Sequence, residues 1–324
     1  MSEIRFTRRD ACKAIAVSAA AAWQLQSAVA SAGALADTPP LQFRYILSSA
    51  MYGRLKLDEI LPEVVKTGAD AIDIWSLPHG DQREQIDAMG VDAFAALLAA
   101  NKVKLGVLTR YGLGPFGLAD EMHFAGKLGC RMLLTGAKGP KDPTGEDAKR
   151  EVRSFLEKMK PHADAAAKAG VVIAIENHGN SLLSHPDSIL YFAEFNKSPQ
   201  LGVAFAPHHL HQWPDQMPKL IEALGPQLVF FYAQEHGKGS KQAQPKEDEL
   251  LQMPGFGGGL DYRAIVASLA KIAYQGWMEI FMHPFPRGVP ILPTTAEITA
   301  AVNKSRAYLA ECAGEISRPN RDAR

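Results

Sequence analysis

Eight short apolar runs, each followed by a helix-like pattern, constrain this chain more than any other feature. They lie at 43–50 (FRYILSSA), 69–75 (ADAIDIW), 103–109, 130–136, 171–176 (VVIAIE), 201–206, 228–234 and 276–283 (GWMEIFMH). Near-continuous apolar runs of this length mark strands covered on both faces, because a half-solvated strand would alternate. The intervening stretches repeat apolar residues at helical spacing, as in LDEILPEVVKTG, DQREQIDAMGVDAFAALLAANK, GEDAKREVRSFLEKMKPHADAAAKAG and DYRAIVASLAKIA. Gly68, Gly129, Gly170 and Gly225 close several of them, where a left-handed terminal residue lets the chain turn into the next strand. Eight strand and helix pairs in sequence predict a single-domain (β/α)8 barrel. A doubly wound open sheet competes with it, but no glycine-rich phosphate fingerprint opens the first helix.

The barrel is expected over residues 37–324, because residues 1–36 read as processing sequence. FTRRDACKAIAVSAAAAW places Arg8 and Arg9 ahead of an alanine-rich run, and Ala34 and Ala36 are the small residues before a cut at Asp37. This pattern resembles a twin-arginine export signal, which implies a periplasmic or extracytoplasmic protein carried across folded. Thr7 and Lys13 fit the pattern, whereas Ala11 and Cys12 stand where bulkier apolar residues are common. A run so short and so rich in alanine makes a poor membrane anchor.

Charge narrows the class of partner. With 35 Lys+Arg against 35 Asp+Glu, the chain has no excess to neutralise a phosphate backbone, so a small molecule rather than a nucleic acid is expected. An oligomer is left open. Only Cys130 and Cys312 remain beyond the signal, far apart, so neither a disulfide framework nor a cysteine metal site is expected.

In a barrel of this kind the carboxyl ends of all strands converge on one face, and chemistry is built there. Polar residues at strand ends therefore form the shortlist. They are Trp75 and His79 after the second strand, Arg110 and Tyr111 after the third, and Glu176, Asn177 and His178 after the fifth. His208, His209 and His211 follow the sixth, Gln234, Glu235 and His236 the seventh, and His283 ends the eighth. Six of the ten histidines thus fall near the ends of the last four strands, a clustering that chance scatter does not give. Taken singly, a strand-end histidine is more often a hydrogen-bonded loop residue, and His211 and His236 can be read that way. Glu176 is harder to explain blandly, since a carboxylate ending VVIAI needs a positive partner, and a divalent cation is one. Glu279, in the middle of the eighth strand, is expected to point into the barrel interior. There it needs a cationic or hydrogen-bonding partner, either as a ligand or as a support behind one.

Several of these motifs together resemble the xylose isomerase-like barrel superfamily of sugar (phosphate) isomerases and epimerases. They are IAIENHGN at the fifth strand, an apolar sixth strand leading to histidine, PGFGGGLDY before a helix, and AYQGWMEIF entering the last strand. The resemblance spans nearly all of residues 37–324 and implies a divalent metal held by Glu, Asp, His and Glu from strands five to eight. Glu176 matches the first position. At the second this chain has Ala206, with His209 three residues on; at the third, Tyr232 or Gln234. At the fourth, Phe281 aligns nearest, flanked by Glu279 and His283. Donors nevertheless remain on four successive strand ends, so the expected ligand set is Glu176, His209, Gln234 and His283, for Mn, Zn, Co, Fe or Mg.

A metal on a sugar carbonyl and its neighbouring hydroxyl acidifies the adjacent C–H, and a base can then form an enediolate. Isomerisation or epimerisation follows if the proton returns elsewhere, and elimination follows if a β-oxygen leaves, as in the 3-keto-glycoside lyases that the resemblance includes. Export favours a non-phosphorylated or keto sugar. His178 and Glu235 are the expected base and acid, while Trp75, His79, Arg110, Asn177 and His208 are expected to bind substrate. A non-catalytic carbohydrate-binding barrel is the alternative from another class. A metal-dependent nuclease, also within the superfamily, fits least, given the neutral charge.

Overall fold

The apolar runs become strands because each lies with both faces against other chain segments. The computed structural model describes residues 41–316, and the expected export signal lies outside them. The strands are β1 (Arg44–Ser48), β2 (Ala71–Trp75), β3 (Lys104–Thr109), β4 (Met132–Gly136), β5 (Val172–Glu176), β6 (Leu201–Phe205), β7 (Leu228–Ala233) and β8 (Trp277–Ile280). They pair in parallel in chain order, and β8 closes on β1 through Arg44, Tyr45 and Ile46 opposite Trp277, Met278 and Glu279. The result is the expected (β/α)8 barrel.

The helices are α1 (Leu57–Lys66), α2 (Gln82–Met89), α3 (Val91–Ala100), α4 (Ala119–Lys127) and α5 (Gly145–Ala169). They continue with α6 (Pro186–Phe195), α7 (Met217–Leu224), the short α8 (Lys246–Glu249), α9 (Tyr262–Lys271) and α10 (Thr295–Ile316). Helix α5 shows why they cover the barrel: Val152, Phe155, Leu156, Met159, Ala163 and Ala166 recur every three or four residues and are buried, leaving its charged residues outside. It ends at Gly170, whose φ of 67° is the left-handed conformation expected of that glycine. The stretch expected as one helix after β2 is two, because Gly90 at φ 87° breaks it between α2 and α3. Among the described residues no helix is long and apolar enough to cross a membrane.

Inside the barrel, side chains stack in layers. At the amino end, a Cβ on Gly106 would lie 2.6 Å from Ile46 Cδ1 and 3.0 Å from Ala71 Cβ, so the floor closes over this glycine. Midway, Thr109 Oγ1 donates to Asp73 Oδ2 at 2.7 Å, and Glu279 lies beside Asp73. Toward the carboxyl end, Trp75 stacks on Phe281 with ring centroids 5.0 Å apart, and Tyr232 packs against Phe281.

The eighth strand is shorter than its sequence suggests. It leaves the ladder after Ile280, and side chains take over: His283 N donates to Gln252 Oε1 at 3.2 Å and Phe285 N to Glu249 Oε1 at 2.8 Å. The segment after β7 thereby fixes where His283 sits.

Packing between β6 and β7 leaves no space at Gly202, where a Cβ would lie 2.5 Å from Val229 Cγ1 and 2.8 Å from Gln227 O. Gly202→Ala is expected to lower unfolding stability by ~1–3 kcal/mol, the usual cost of forcing one extra group into a filled interior, as read from the urea midpoint.

Candidate active site

Glu176 is the last residue of β5 and is only 6% exposed. The Tyr111 hydroxyl donates to its Oε2 at 2.5 Å, and the Tyr232 and Tyr111 hydroxyls lie 3.3 Å apart. On the other side, Glu176 Oε1 lies 3.7 Å from His209 Nε2. Burial pushes the Glu176 carboxyl above the usual range, while a charge on His178 and the Tyr111 bond pull it down. No lysine or arginine pairs with it among the described residues; its neighbours are imidazoles and a phenol.

Backbone carbonyls orient two of the imidazoles. A carbonyl oxygen can only accept, so His178 Nδ1, 2.6 Å from Gly179 O, carries a proton, and Nε2 is the nitrogen available to a metal. His208 Nδ1 likewise donates to Glu235 O at 2.9 Å. Burial and the neighbouring histidines keep His209 neutral well below the usual histidine range, and His208 is pushed down to about 3 for the same reasons. The His178 and His209 rings lie 3.9 Å apart.

Ligand atoms of Glu176, His178 and His209 all lie within 4.8 Å of one another. Atoms sharing one ion at ~2.1 Å sit about 3.0–3.5 Å apart, so a small contraction brings these three around a common centre. One carboxylate with two imidazoles suits zinc, iron, manganese or cobalt, and a cation would neutralise the buried carboxylate. The donor chemistry therefore fits a divalent metal.

His283 and Gln234 stand differently. Among the described histidine, cysteine and carboxylate residues, His283 is not in the cluster with Glu176. Its ring sits against Phe281 (4.5 Å), His79 (4.8 Å) and Trp75 (6.1 Å), so it belongs to an aromatic wall carried by β2 and β8. Burial and the Arg287 charge keep His283 neutral well below the usual range, and His79 is pushed down to about 4 for the same reasons. Gln234 Nε2 donates to Gln252 Oε1 at 3.0 Å, and Gln252 Nε2 donates to His283 O at 2.9 Å. Gln252 thus ties the ends of β7 and β8 together. Tyr111 joins the two halves of the mouth, bonding Glu176 while its ring packs 5.4 Å from Trp75 and 6.4 Å from His79.

Three expected residues face elsewhere. Both ends of the Asn177 amide bond the Ala206 backbone, at 3.0 Å to its oxygen and 2.7 Å from its nitrogen, so Asn177 staples the β5 and β6 ends instead of meeting substrate. Arg110 pairs with Glu121 of α4 at 3.3 Å, and Glu121 also holds Arg83 at 3.1 Å, an ion network behind the mouth. The Glu235 carboxylate accepts from Leu260 N at 2.9 Å beneath the PGFGGG loop and lines a separate cavity of about 460 Å³ with Gly255, Gly257 and Tyr308. A Cβ on Gly258 would lie 2.5 Å from Glu235 Oε2, so the glycine lets the loop close over the acid. A further cavity of about 570 Å³ opens at the opposite end of the barrel, around Arg44, Lys104, Arg131 and Trp277, away from these strand ends.

With that geometry in place, comparison with known proteins gives a consistent result. The xylose isomerase-like TIM barrel family is matched over residues 61–304. The chain belongs to this family. No curated protein sequence matches it significantly. Among solved structures, it is similar to the IOLI protein with a binding zinc atom, at 16% identity over 85% of this chain and 99% of that one, with a TM-score of 0.64. An L-ribulose 3-epimerase matches at 16% identity, 85% and 96% coverage and a TM-score of 0.60. The probable 3-DHS dehydratase AsbF from Bacillus anthracis matches at 12% identity, 82% and 99% coverage and 0.60. At these identities the likeness establishes the fold.

Glu121 faces two guanidinium groups while itself 6% exposed as a side chain, so this member of the family depends on it for stability. Glu121→Ala is expected to cost ~3–5 kcal/mol, since it leaves Arg110 without its carboxylate and Arg83 with only the exposed Asp87, whereas Arg110→Ala costs less and leaves sugar binding unchanged. Chemical denaturation and sugar titration of the two variants check this.

Proposed function

We propose that this protein is a metal-dependent enzyme that moves a proton on a non-phosphorylated or keto sugar through an enediolate, as an isomerase or epimerase. The observation that carries the reading is the convergence of Glu176, His178 and His209 at the barrel mouth, facing an aromatic wall. The solved relatives named as a zinc-binding protein, a sugar epimerase and a dehydratase support it. A free sugar is favoured because the amino-terminal pattern reads as an export signal, and phosphorylated sugars are cytoplasmic.

Glu176, His178 and His209 would hold the ion, which when bound supplies Lewis acidity toward a carbonyl and its neighbouring hydroxyl. Tyr111 fixes Glu176 Oε2 and leaves Oε1 turned to the histidines. Trp75 and its neighbours give a flat apolar face for a sugar ring. Across the cleft, His79 and His283 are neutral imidazoles 4.8 Å apart, able to take a proton from carbon. In that position they replace the expected pair: His178 lies among the metal donors and the Glu235 carboxylate lies under the glycine loop. Returning the proton to the other face of the same carbon gives an epimer, and returning it to the next carbon an isomer. In elimination, the second reading for keto-glycosides, the electron pair of the broken C–H bond becomes a C=C bond while the β-oxygen leaves with the pair of its C–O bond.

The purified full chain is expected to carry about one equivalent of transition metal, and Glu176→Ala and His209→Ala to lose at least tenfold of it. In deuterated water with keto-sugars, the wild type exchanges the α-hydrogen. His283→Ala should slow exchange ~100-fold or more while keeping the metal, consistent with loss of a proton-transfer group. Loss of the metal in His283→Ala would restore His283 to the ligand set, and metal-free wild type that binds sugar without exchange would favour the non-catalytic barrel.

A further inference from the structure

Beneath the aromatic layer, the barrel interior holds two carboxyl groups that no cation faces. Asp73 of β2 and Glu279 of β8 are both 0% exposed, and neither Glu279 oxygen makes a hydrogen bond of normal geometry among the described residues. Three more buried polar atoms of this layer lack a conventional partner: Ser48 Oγ, Asp73 Oδ1 and Trp75 Nε1. These atoms face one another. Asp73 is approached by Thr109, Trp75 and Glu279, and Glu279 by Asp73 and Ser48. Strand register brings them together, with Ser48 opposite Asp73 across β1 and β2, and Ile46, two residues earlier, opposite Glu279 across β1 and β8.

Two ionised carboxylates offer each other nothing, since both can only accept. One proton changes the whole layer. With Glu279 protonated, its hydroxyl donates to Asp73 Oδ1, Ser48 donates to the other Glu279 oxygen, and the Trp75 N–H donates to Asp73. A single proton thereby pairs all five atoms. We propose that Asp73 and Glu279 share one proton at neutral pH, Glu279 as the neutral acid and Asp73 as the anion, and that this pair positions Trp75 in the wall of the mouth. The assignment follows the donors: Asp73 has the Thr109 hydroxyl at 2.7 Å and the indole, whereas Glu279 has Ser48 alone.

The surroundings agree. Burial, then the charge of Asp73, push Glu279 well above the usual range, and burial pushes Asp73 up to about 7. The other titratable groups felt by the pair are Glu176, Tyr111, Tyr232 and Cys130, none of them cationic. Trp75 in turn packs on Phe281, His79, Tyr111 and His283, so the orientation of its indole sets that of the wall. None of this depends on whether the mouth binds a metal.

The sign of the pH effect follows from counting protons. In the unfolded chain both carboxyls are ionised above about pH 5, while the folded pair keeps at least one proton, so the pair's contribution to stability falls as pH rises, opposite in sign to that of the buried neutral histidines. One retained proton changes the folded-to-unfolded ratio about tenfold per pH unit.

The test is infrared spectroscopy of the full-length protein at pH 8 in deuterated water, with metal analysis and urea unfolding from pH 5 to 8. A carboxylic-acid carbonyl band should survive in the wild type, where exposed carboxylates are ionised, and vanish in Glu279→Gln. That variant, whose amide can donate to Asp73, should fold and lose the tenfold-per-unit fall, whereas Asp73→Asn should lose stability even if Glu279→Gln does not. Absence of the band in the wild type overturns the proposal even if neither variant folds. So does loss of one metal equivalent in both variants, which would assign the pair to a cation.

Discussion

The mouth of this barrel is organised around a carboxylate that ends an apolar strand. Among the described residues Glu176 is buried without a lysine or arginine partner, and an isolated ionised carboxylate in such a place is costly. Everything close to it reduces that cost only partly: Tyr111 gives one short hydrogen bond, and the nearest imidazole nitrogen, His209 Nε2, stays 3.7 Å away. A divalent cation held by the carboxylate and the two imidazoles would offset the cost that remains. That is the physical basis for placing a metal there, and it is independent of the family likeness.

The same barrel geometry explains why the mouth has two different sides. Strands β5 and β6 carry Glu176 and the loops of His178, His208 and His209, whereas β2 and β8, next to β1 on either side, carry Trp75 and His283. Tyr111, from the loop after β3, reaches both sides, with its hydroxyl on Glu176 and its ring on Trp75. Gln252 sets the position of His283 from behind by bonding its backbone at both nitrogen and oxygen. A shift in the segment after β7 therefore moves the aromatic wall relative to the carboxylate without touching either.

The strands and their order were legible from the apolar runs, because burial on both faces leaves little choice of residue. Glu176 and His209 were legible as neighbours from their places at strand ends. Side-chain direction beyond the strand end was not. His178 follows Glu176 by two residues, yet the turn at Gly179 decides that its ring joins His209. Asn177, Arg110 and Glu235 have the residue types of a binding site, but each meets a partner that strand periodicity cannot reveal: the Ala206 backbone, Glu121 and Leu260 N. Gln252 gave no signal, being a neutral residue in a short helical turn. Asp73 did give one, a carboxylate amid ADAIDIW, the same signal that singled out Glu279. Their pairing follows only from the closure of β8 on β1, which brings the first two strands and the last into one layer.

Two buried acidic groups a layer apart thus call for different positive partners, and the difference lies in their neighbours. Around Glu176 stand the His178 and His209 imidazoles, each with a ring nitrogen able to bind a metal, and a proton placed there would satisfy only one of them. A divalent ion accepts from all three at once. Around Asp73 and Glu279 the neighbours are hydroxyl groups and an indole, which bring hydrogens of their own. A cation would meet the indole N–H pointing at it, whereas a proton leaves every donor with an acceptor. Residue type alone does not separate the two cases, since both are carboxylates in parallel strands; the count of donors and acceptors within reach does.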